Sequence, residues 1–213
     1  MTAPTHSSST HAADKKALRQ ALRHARRALP PRRAQAAAKA VAKRVGRHKT
    51  WQRAQHVAIY LSGDGELDTG PLIDAARRAG KTVYLPVIRP PRGRAGRRAA
   101  ITQGSLVFRQ HRQGAVLKRG VLWVLEPVRG VSPTRFLAKI DLMIMPLVGF
   151  DDSGYRLGMG GGFYDRTLAG RGRFRRPYRL GIAHACQRVA ELPHDPWDQR
   201  LDTCVTDIAT VCW

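Results

Sequence analysis

Arg156 and Asp165 bracket the segment Leu-Gly-Met-Gly-Gly-Gly-Phe-Tyr, with glycines at 158, 160, 161 and 162. These residue types in this order can handle a phosphate. Glycine admits positive φ and lets the backbone approach an anion closely. Successive N–H groups in such a turn form an anion-binding concavity. An arginine beside the turn pairs with phosphate oxygens. A carboxylate beside it suits Mg²⁺, which binds through one or two carboxylates together with substrate phosphates. Arg156 and Asp165 are therefore the candidate catalytic pair. The alternative is an ordinary glycine turn with an acidic residue that merely suits a helix N-terminus.

The loop needs elements to hold it. An apolar run at 142–148 precedes it, and a helix-like stretch at 164–168 follows. Strand, glycine loop and helix start form a general geometry for phosphate binding. The segment is neither of two common nucleotide motifs: no G-x-x-x-x-G-K-[ST] occurs, and Phe163 stands where G-x-G-x-x-G needs its third glycine.

Elsewhere, Asp14 is placed to cap a helix over 15–29, with apolar residues at helical spacing and Pro30 and Pro31 to stop it. A second, alanine-rich helix spans about 33–45. A strand at 56–61, a loop at 62–68, a helix from Thr69 to about Ala79 and a strand at 81–88 read as a βαβ unit, hence a parallel sheet. Gly80 suits the helix C-terminus. Residues 89–104, rich in proline, glycine and arginine, read as an exposed loop. Short strands are expected at 105–109, 115–117 and 121–125, and a short helix at 133–138. Further strands are expected at 140–147 and 178–183, with Val205 and Val211 in a terminal strand. In open α/β sheets ligands sit at the carboxyl ends of parallel strands, so the 62–68 and glycine loops share one rim.

At 213 residues the chain supports one domain. The expected fold class is α/β, a single-domain three-layer Rossmann-like fold with a mostly parallel central sheet flanked by helices. That domain covers 14–213, behind a disordered tail at 1–13. The formal charge of +23 raises nucleic acid as a partner. Yet the charge is spread along the chain, only 8 of the 38 basic residues are lysine, and no basic-aromatic interleaving of the single-strand-binding kind occurs. A solvated basic surface accounts for it as well. Three cysteines without a C-x-x-C pair or a signal peptide point to reduced thiols in a cytoplasmic protein. No run approaches the ~18 apolar residues of a membrane span.

The stretch from Leu147 to Leu168, with its core Arg-Leu-Gly-Met-Gly-Gly-Gly-Phe-Tyr-Asp-Arg, resembles the signature of the 5-formyltetrahydrofolate cyclo-ligase family. Lys15-Lys16-Ala17-Leu18-Arg19 resembles that family's N-terminal basic motif, and Leu61-Ser62-Gly63-Asp64-Gly65-Glu66-Leu67-Asp68-Thr69 its folate-pocket segment. The resemblance implies ATP-dependent cyclisation of 5-formyltetrahydrofolate to 5,10-methenyltetrahydrofolate, with ATP and Mg²⁺. It implies that Lys15, Lys16, Arg19, Arg156, Leu157, Gly158, Met159, Gly160, Gly161, Gly162, Phe163 and Tyr164 bind ATP. Gly63, Glu66 and Asp68 would then bind the folate, with position 68 bonding the pterin ring and Glu66 sharing the role. Asp165 and Asp198 would hold the metal; Asp195 and Asp202 compete with Asp198 for that role. Met159 stands where several members have a cation, and Asp68 where many have glutamate.

The partners expected are these small molecules, with neither membrane nor nucleic acid, and the chain is expected to act as a monomer. Two rival readings stay open: a basic nucleic-acid-binding protein and another phosphate-binding α/β enzyme.

Overall fold

The computed structural model describes residues 7–91, 93, 97–120, 124–128, 137–170 and 176–213, with side chains from residue 13 onward. Helices α1 (Ser7–Arg27), α2 (Pro31–Arg47) and α3 (Lys49–Arg53) lead into strand β1 (His56–Ala58). Helix α4 (Gly70–Arg78) and strand β2 (Thr82–Arg89) complete the βαβ unit. Then come α5 (Arg97–Gln103), β3 (Ser105–Gln110), β4 (Leu117–Arg119), β5 (Leu125–Pro127) and β6 (Leu142–Met145). The glycine loop lies between the hairpin β7 (Gly149–Phe150) with β8 (Arg156–Leu157) and helix α6 (Phe163–Leu168). Strands β9 (Tyr178–Ala183), β10 (Thr203–Thr206) and β11 (Thr210–Cys212) finish the chain.

Seven strands form one sheet in the order β11-β10-β9-β6-β1-β2-β3. The five central strands run parallel, and β3 and β11 close the two edges antiparallel. All four residues of β6 are buried, as a parallel strand covered on both faces requires. Its side chains alternate between two cores. Leu142 and Ile144 join Val41, Val45, Trp51, Leu72 and Ala76 on the α2 and α4 face. Met143 and Met145 join Tyr84, Phe108, Phe150 and Leu168 on the other. A third, small cluster of Leu22, Val148, Leu157 and Leu192 sits where α1 meets the β7–β8 hairpin. Helix α1 thus lies across the carboxyl edge of the sheet rather than in either large core.

Several expectations need correction. Helix α1 starts at Ser7, inside the segment expected to be a disordered tail, so Asp14 lies within the helix and does not cap it. Ala12 and Ala13, strong helix formers, carry the helix upstream through that position. Residues 89–104 are not all loop, because α5 occupies their second half. Arg97 to Gln103 lacks glycine and proline, and Ala100 is fully buried. Gly104 ends the helix with its N–H on the Ala100 carbonyl at 2.9 Å, where a Cβ would stand 2.3 Å from that oxygen.

Strand β1 stops at Ala58, short of Leu61. The strand expected at 115–117 forms at Leu117–Arg119 instead. Of the strand expected at 121–125, residues 121–123 lie outside the described residues, and β5 runs on to Pro127. Residues 133–136 of the expected short helix also lie outside them, and a 3-10 turn follows at Leu137–Lys139. Val205 and Val211 fall in two paired strands, β10 and β11.

Candidate active site

A cavity of about 660 Å³ opens at the carboxyl edge of β6, β1 and β2. Arg156, the glycine loop from Gly158 to Gly162, Phe163, Tyr164 and Asp165 form one wall. Tyr60, Leu61 and Glu66 follow β1, Pro86, Ile88 and Leu106 continue the lining across β2 and β3, and Glu126 joins it from β5. The loop turns through two positive-φ glycines, Gly160 at 94° and Gly162 at 61°, which L side chains resist. Arg166 braces the loop from behind, donating to the Gly161 carbonyl at 2.6 Å and the Gly104 carbonyl at 2.7 Å.

The Arg156 side chain is only 4% exposed. Its Nη2 donates to Asp165 Oδ1 at 2.7 Å. Its Nε is buried without a partner among the described residues. A buried unpaired N–H on a permanent cation is costly, so the cavity holds a donor awaiting an anionic acceptor. Asp165 Oδ1 also accepts the Gln199 N–H at 3.0 Å, which ties the loop to the 195–199 turn.

Helix α1 supplies the cations that face this loop. Arg19 Nε donates to the Gly158 carbonyl at 2.9 Å, and its guanidinium lies beneath Gly160, where a Cβ would stand 3.7 Å from Cζ. One helical turn earlier, Lys15 Nζ bridges Asp195 Oδ2 at 2.6 Å and Asp198 Oδ2 at 2.8 Å. Burial lowers the Lys15 pKa, but the bonds to both carboxylates outweigh it and the net shift is upward. Lys16 is exposed and pairs with nothing among the described residues, so of the basic motif the structure brings Lys15 and Arg19 to the loop and leaves Lys16 in solvent.

Each of the two candidate metal carboxylates keeps one oxygen unbonded among the described residues. In Asp165 it is Oδ2, and in Asp198, whose Oδ2 takes Lys15 and the Asp195 N–H at 2.9 Å, it is Oδ1. Among the described residues no group of three or more side chains forms a protein-only metal cage. Two carboxylates with open oxygens beside a phosphate loop are the donor set Mg²⁺ uses. Asp202, the other competitor, is committed to Arg179 through bonds of 2.7, 3.2 and 3.3 Å.

The 62–68 segment divides its two acidic residues. Asp68 is exposed and outside the cavity; its Oδ1 accepts the Gly70 N–H at 2.9 Å in a local turn just ahead of α4. Glu66 lines the cavity. Its Oε2 accepts the Gly63 N–H at 3.1 Å, so Gly63 positions Glu66 through its backbone and lies outside the lining itself. Burial raises the Glu66 pKa, opposed by the Gly63 N–H and by Arg26. Burial likewise pushes the Tyr164 phenol well up, so it stays a neutral donor.

Arg26, which sequence reading passed over, is the anchor beneath this segment. Its side chain is fully buried and donates to the Asp64 carbonyl at 3.0 Å, Asp64 Oδ2 at 2.8 Å and the Leu147 carbonyl at 3.2 Å, with Glu66 Oε1 3.9 Å away. Arg23 and Arg27 pair with the same Asp64. A signal was present: cations at 15, 19, 23, 26 and 27 form one stripe of a helix. Asp151 and Asp152 brace the loop. Asp151 accepts the Ser153, Tyr155 and Leu192 N–H groups, and Asp152 pairs with Arg188. His184 is buried at the end of β9 in a turn closed by Gln187, outside this cavity.

The sequence profile of the 5-formyltetrahydrofolate cyclo-ligase family matches residues 11–207. The Escherichia coli K12 protein named 5-formyltetrahydrofolate cyclo-ligase is 41% identical over 185 residues, 87% of this chain and 96% of its own. The Haemophilus influenzae protein of that name is 37% identical over 147 residues, 69% of this chain and 73% of its own. Among solved structures, Aquifex aeolicus 5,10-methenyltetrahydrofolate synthetase superposes with a TM-score of 0.75 at 27% identity, covering 93% of this chain and 92% of its own. The Mycoplasma pneumoniae synthetase, at 23% identity, shares the fold with a TM-score of 0.66 over 91% of this chain and 99% of its own.

Proposed function

The chain belongs to the 5-formyltetrahydrofolate cyclo-ligase family, and from that premise we propose that it is the ATP-dependent ligase that closes 5-formyltetrahydrofolate to 5,10-methenyltetrahydrofolate, releasing ADP and phosphate. The observation that carries the reading is the buried, unpartnered Arg156 Nε in a cavity walled by the glycine loop and by Glu66. One end suits a polyphosphate, and the other suits a polar ring system in apolar surroundings.

The chemistry needs no protein nucleophile. A formamide oxygen is a poor leaving group. Attack of that oxygen on the γ-phosphorus of ATP forms an O–P bond and breaks the bond to the β-phosphate bridging oxygen, releasing ADP. The N10 lone pair then attacks the formyl carbon, N10 gives up its proton, and the C–O bond breaks with loss of phosphate. Such transfer relies on positioning and charge stabilisation. The glycine-loop N–H groups and the Arg156 guanidinium would hold the transferred phosphoryl group, while Arg19 and Lys15 offset the remaining phosphate charge. Asp165 and Asp198 would hold Mg²⁺ through their open oxygens. When bound, that ion supplies neutralisation of charge on the β- and γ-phosphate oxygens. Glu66, rather than Asp68, supplies the acidic group of its segment toward the folate. A monomer in the reducing cytoplasm suits the three free cysteines.

The test is direct: mix the protein with MgATP and 5-formyltetrahydrofolate and follow the methenyl product by near-ultraviolet absorbance. Product formation is expected, and its absence from folded protein sinks the proposal. Asp165→Asn is expected to lower kcat about 10²-fold or more and to raise the Mg²⁺ requirement. Unchanged kinetics would remove Asp165 from the metal role.

A further inference from the structure

Glu126 lines the same cavity one strand further from the glycine loop than Glu66 does. It lies on β5, and its Oε1 accepts the Ile88 N–H at 3.0 Å, which holds the carboxylate against the end of β2. The residue is 7% exposed. Oε2 has no hydrogen-bond partner among the described residues. Lys118 is its cross-strand neighbour and Arg97 lines the same cavity, yet among the described residues neither forms an ion pair with it. Space for the carboxylate depends on Gly120, whose Cβ, if present, would stand 2.3 Å from Glu126 Cδ and 2.4 Å from Oε2. A glycine cradle, a backbone N–H clamp and a half-satisfied buried carboxylate make a built acceptor. Glu126 is a wall residue of the cavity and Oε2 is its open oxygen, so a ring bound there can donate to it.

Around it, Pro86, Ile88, Ile101, Leu106 and Val124 line an apolar slot. A flat bicyclic ring fits such a slot, and a carboxylate at its end selects a ring whose edge presents adjacent N–H donors. Glu126 and the glycine loop thus line different parts of one cavity, Glu126 against the end of β2 and the loop beyond β8. A pterin carries its N5 substituent and its 2-amino edge on opposite sides of the bicycle, so one ring can present the first to the loop and the second to Glu126.

Resting on the cyclo-ligase reading, we propose that Glu126 accepts hydrogen bonds from the 2-amino and N3 edge of the folate's pterin and so sets specificity for that ring. The test measures the Kd of 5-formyltetrahydrofolate and of its 2-desamino-2-methyl analogue, in wild type and in Glu126→Gln, together with the Kd of MgATP. In wild type the analogue is expected to bind about 10- to 100-fold more weakly, the equivalent of a bond to a charged group. In Glu126→Gln the parent folate loses that factor, the analogue loses none, and MgATP binds as before. Gly120→Ala, which keeps the carboxylate but displaces it, is expected to act the same way and serves if the glutamine variant fails to fold. A full analogue penalty persisting in either variant, or no penalty in wild type, overturns the assignment while leaving the cyclo-ligase reading intact. A wild-type protein that turns over no 5-formyltetrahydrofolate overturns both.

Discussion

At the scale of single residues, the cavity separates charges by what each still lacks. Among the described residues Arg156 has an N–H without an acceptor, while Asp165 and Asp198 each have an oxygen without a donor or cation. Glu66 carries a charge that its surroundings disfavour, because burial raises its pKa more than the Gly63 N–H and Arg26 lower it. The sign of the consequence follows from linkage. A carboxyl whose native pKa lies above its unfolded value gives stability that is fully present below the unfolded pKa and is lost as pH rises through the native one. Glu66→Gln is therefore expected to raise the unfolding midpoint at about pH 7, with the gain vanishing near pH 4, read by thermal melts across pH. In catalysis the sign reverses, since an ionised Glu66 accepts from the folate. In wild type, kcat/KM for the folate is expected to climb with pH along a limb above the ordinary glutamate range. The glutamine variant is expected to lack that limb and to run about 10- to 100-fold lower on the plateau. A limb that survives the substitution would belong to another group.

At the scale of elements, what was legible was local. Alternation and turn residues mark the β1–α4–β2 unit, and the glycine loop announces itself between a buried strand and a short helix. What was not legible depends on contacts far apart in sequence. Nothing near Glu126 in the chain shows that the Ile88 N–H will fix it. Nothing near Asp64 shows that three arginines of α1 converge on it. Asp68 and Glu66 sit two positions apart with the same chemistry. Only the turn into α4, where Asp68 takes the Gly70 N–H, decides which one is left for the cavity. Composition misled at α5, where arginine and neighbouring glycine outweighed a run of good helix formers. The α1 contact gives a prediction at this scale. Arg26→Leu is expected to destabilise the protein by roughly 2–4 kcal/mol, seen in denaturant titration. It is also expected to raise the folate KM more than the ATP KM, because Arg26 bonds the Glu66 segment and the Leu147 carbonyl but not the glycine loop.

At the scale of the molecule, the +23 charge is partly consumed inside the structure. Lys15, Arg23, Arg26, Arg27, Arg156 and Arg179 are all engaged by carboxylates, and the Arg156–Asp165 pair lies in the wall of the cleft. No helix among the described residues is long and apolar enough to cross a membrane. Helix α1 holds a peculiar place in this economy of charge. It carries Lys15, Arg19 and Arg26 to the rim, yet neither large core contains any of its residues. A protein lacking residues 1–27 is expected to keep a cooperative thermal transition by circular dichroism while losing MgATP affinity by 10²-fold or more, since charge-assisted contacts to the phosphate loop leave with it. Non-cooperative melting of that truncated protein would show the helix to be part of the folding unit. If the transition persists, the helix is in effect a tethered ligand of its own sheet. A free peptide of residues 7–27 should then restore turnover in a saturable way, at concentrations near the millimolar level that a short tether provides.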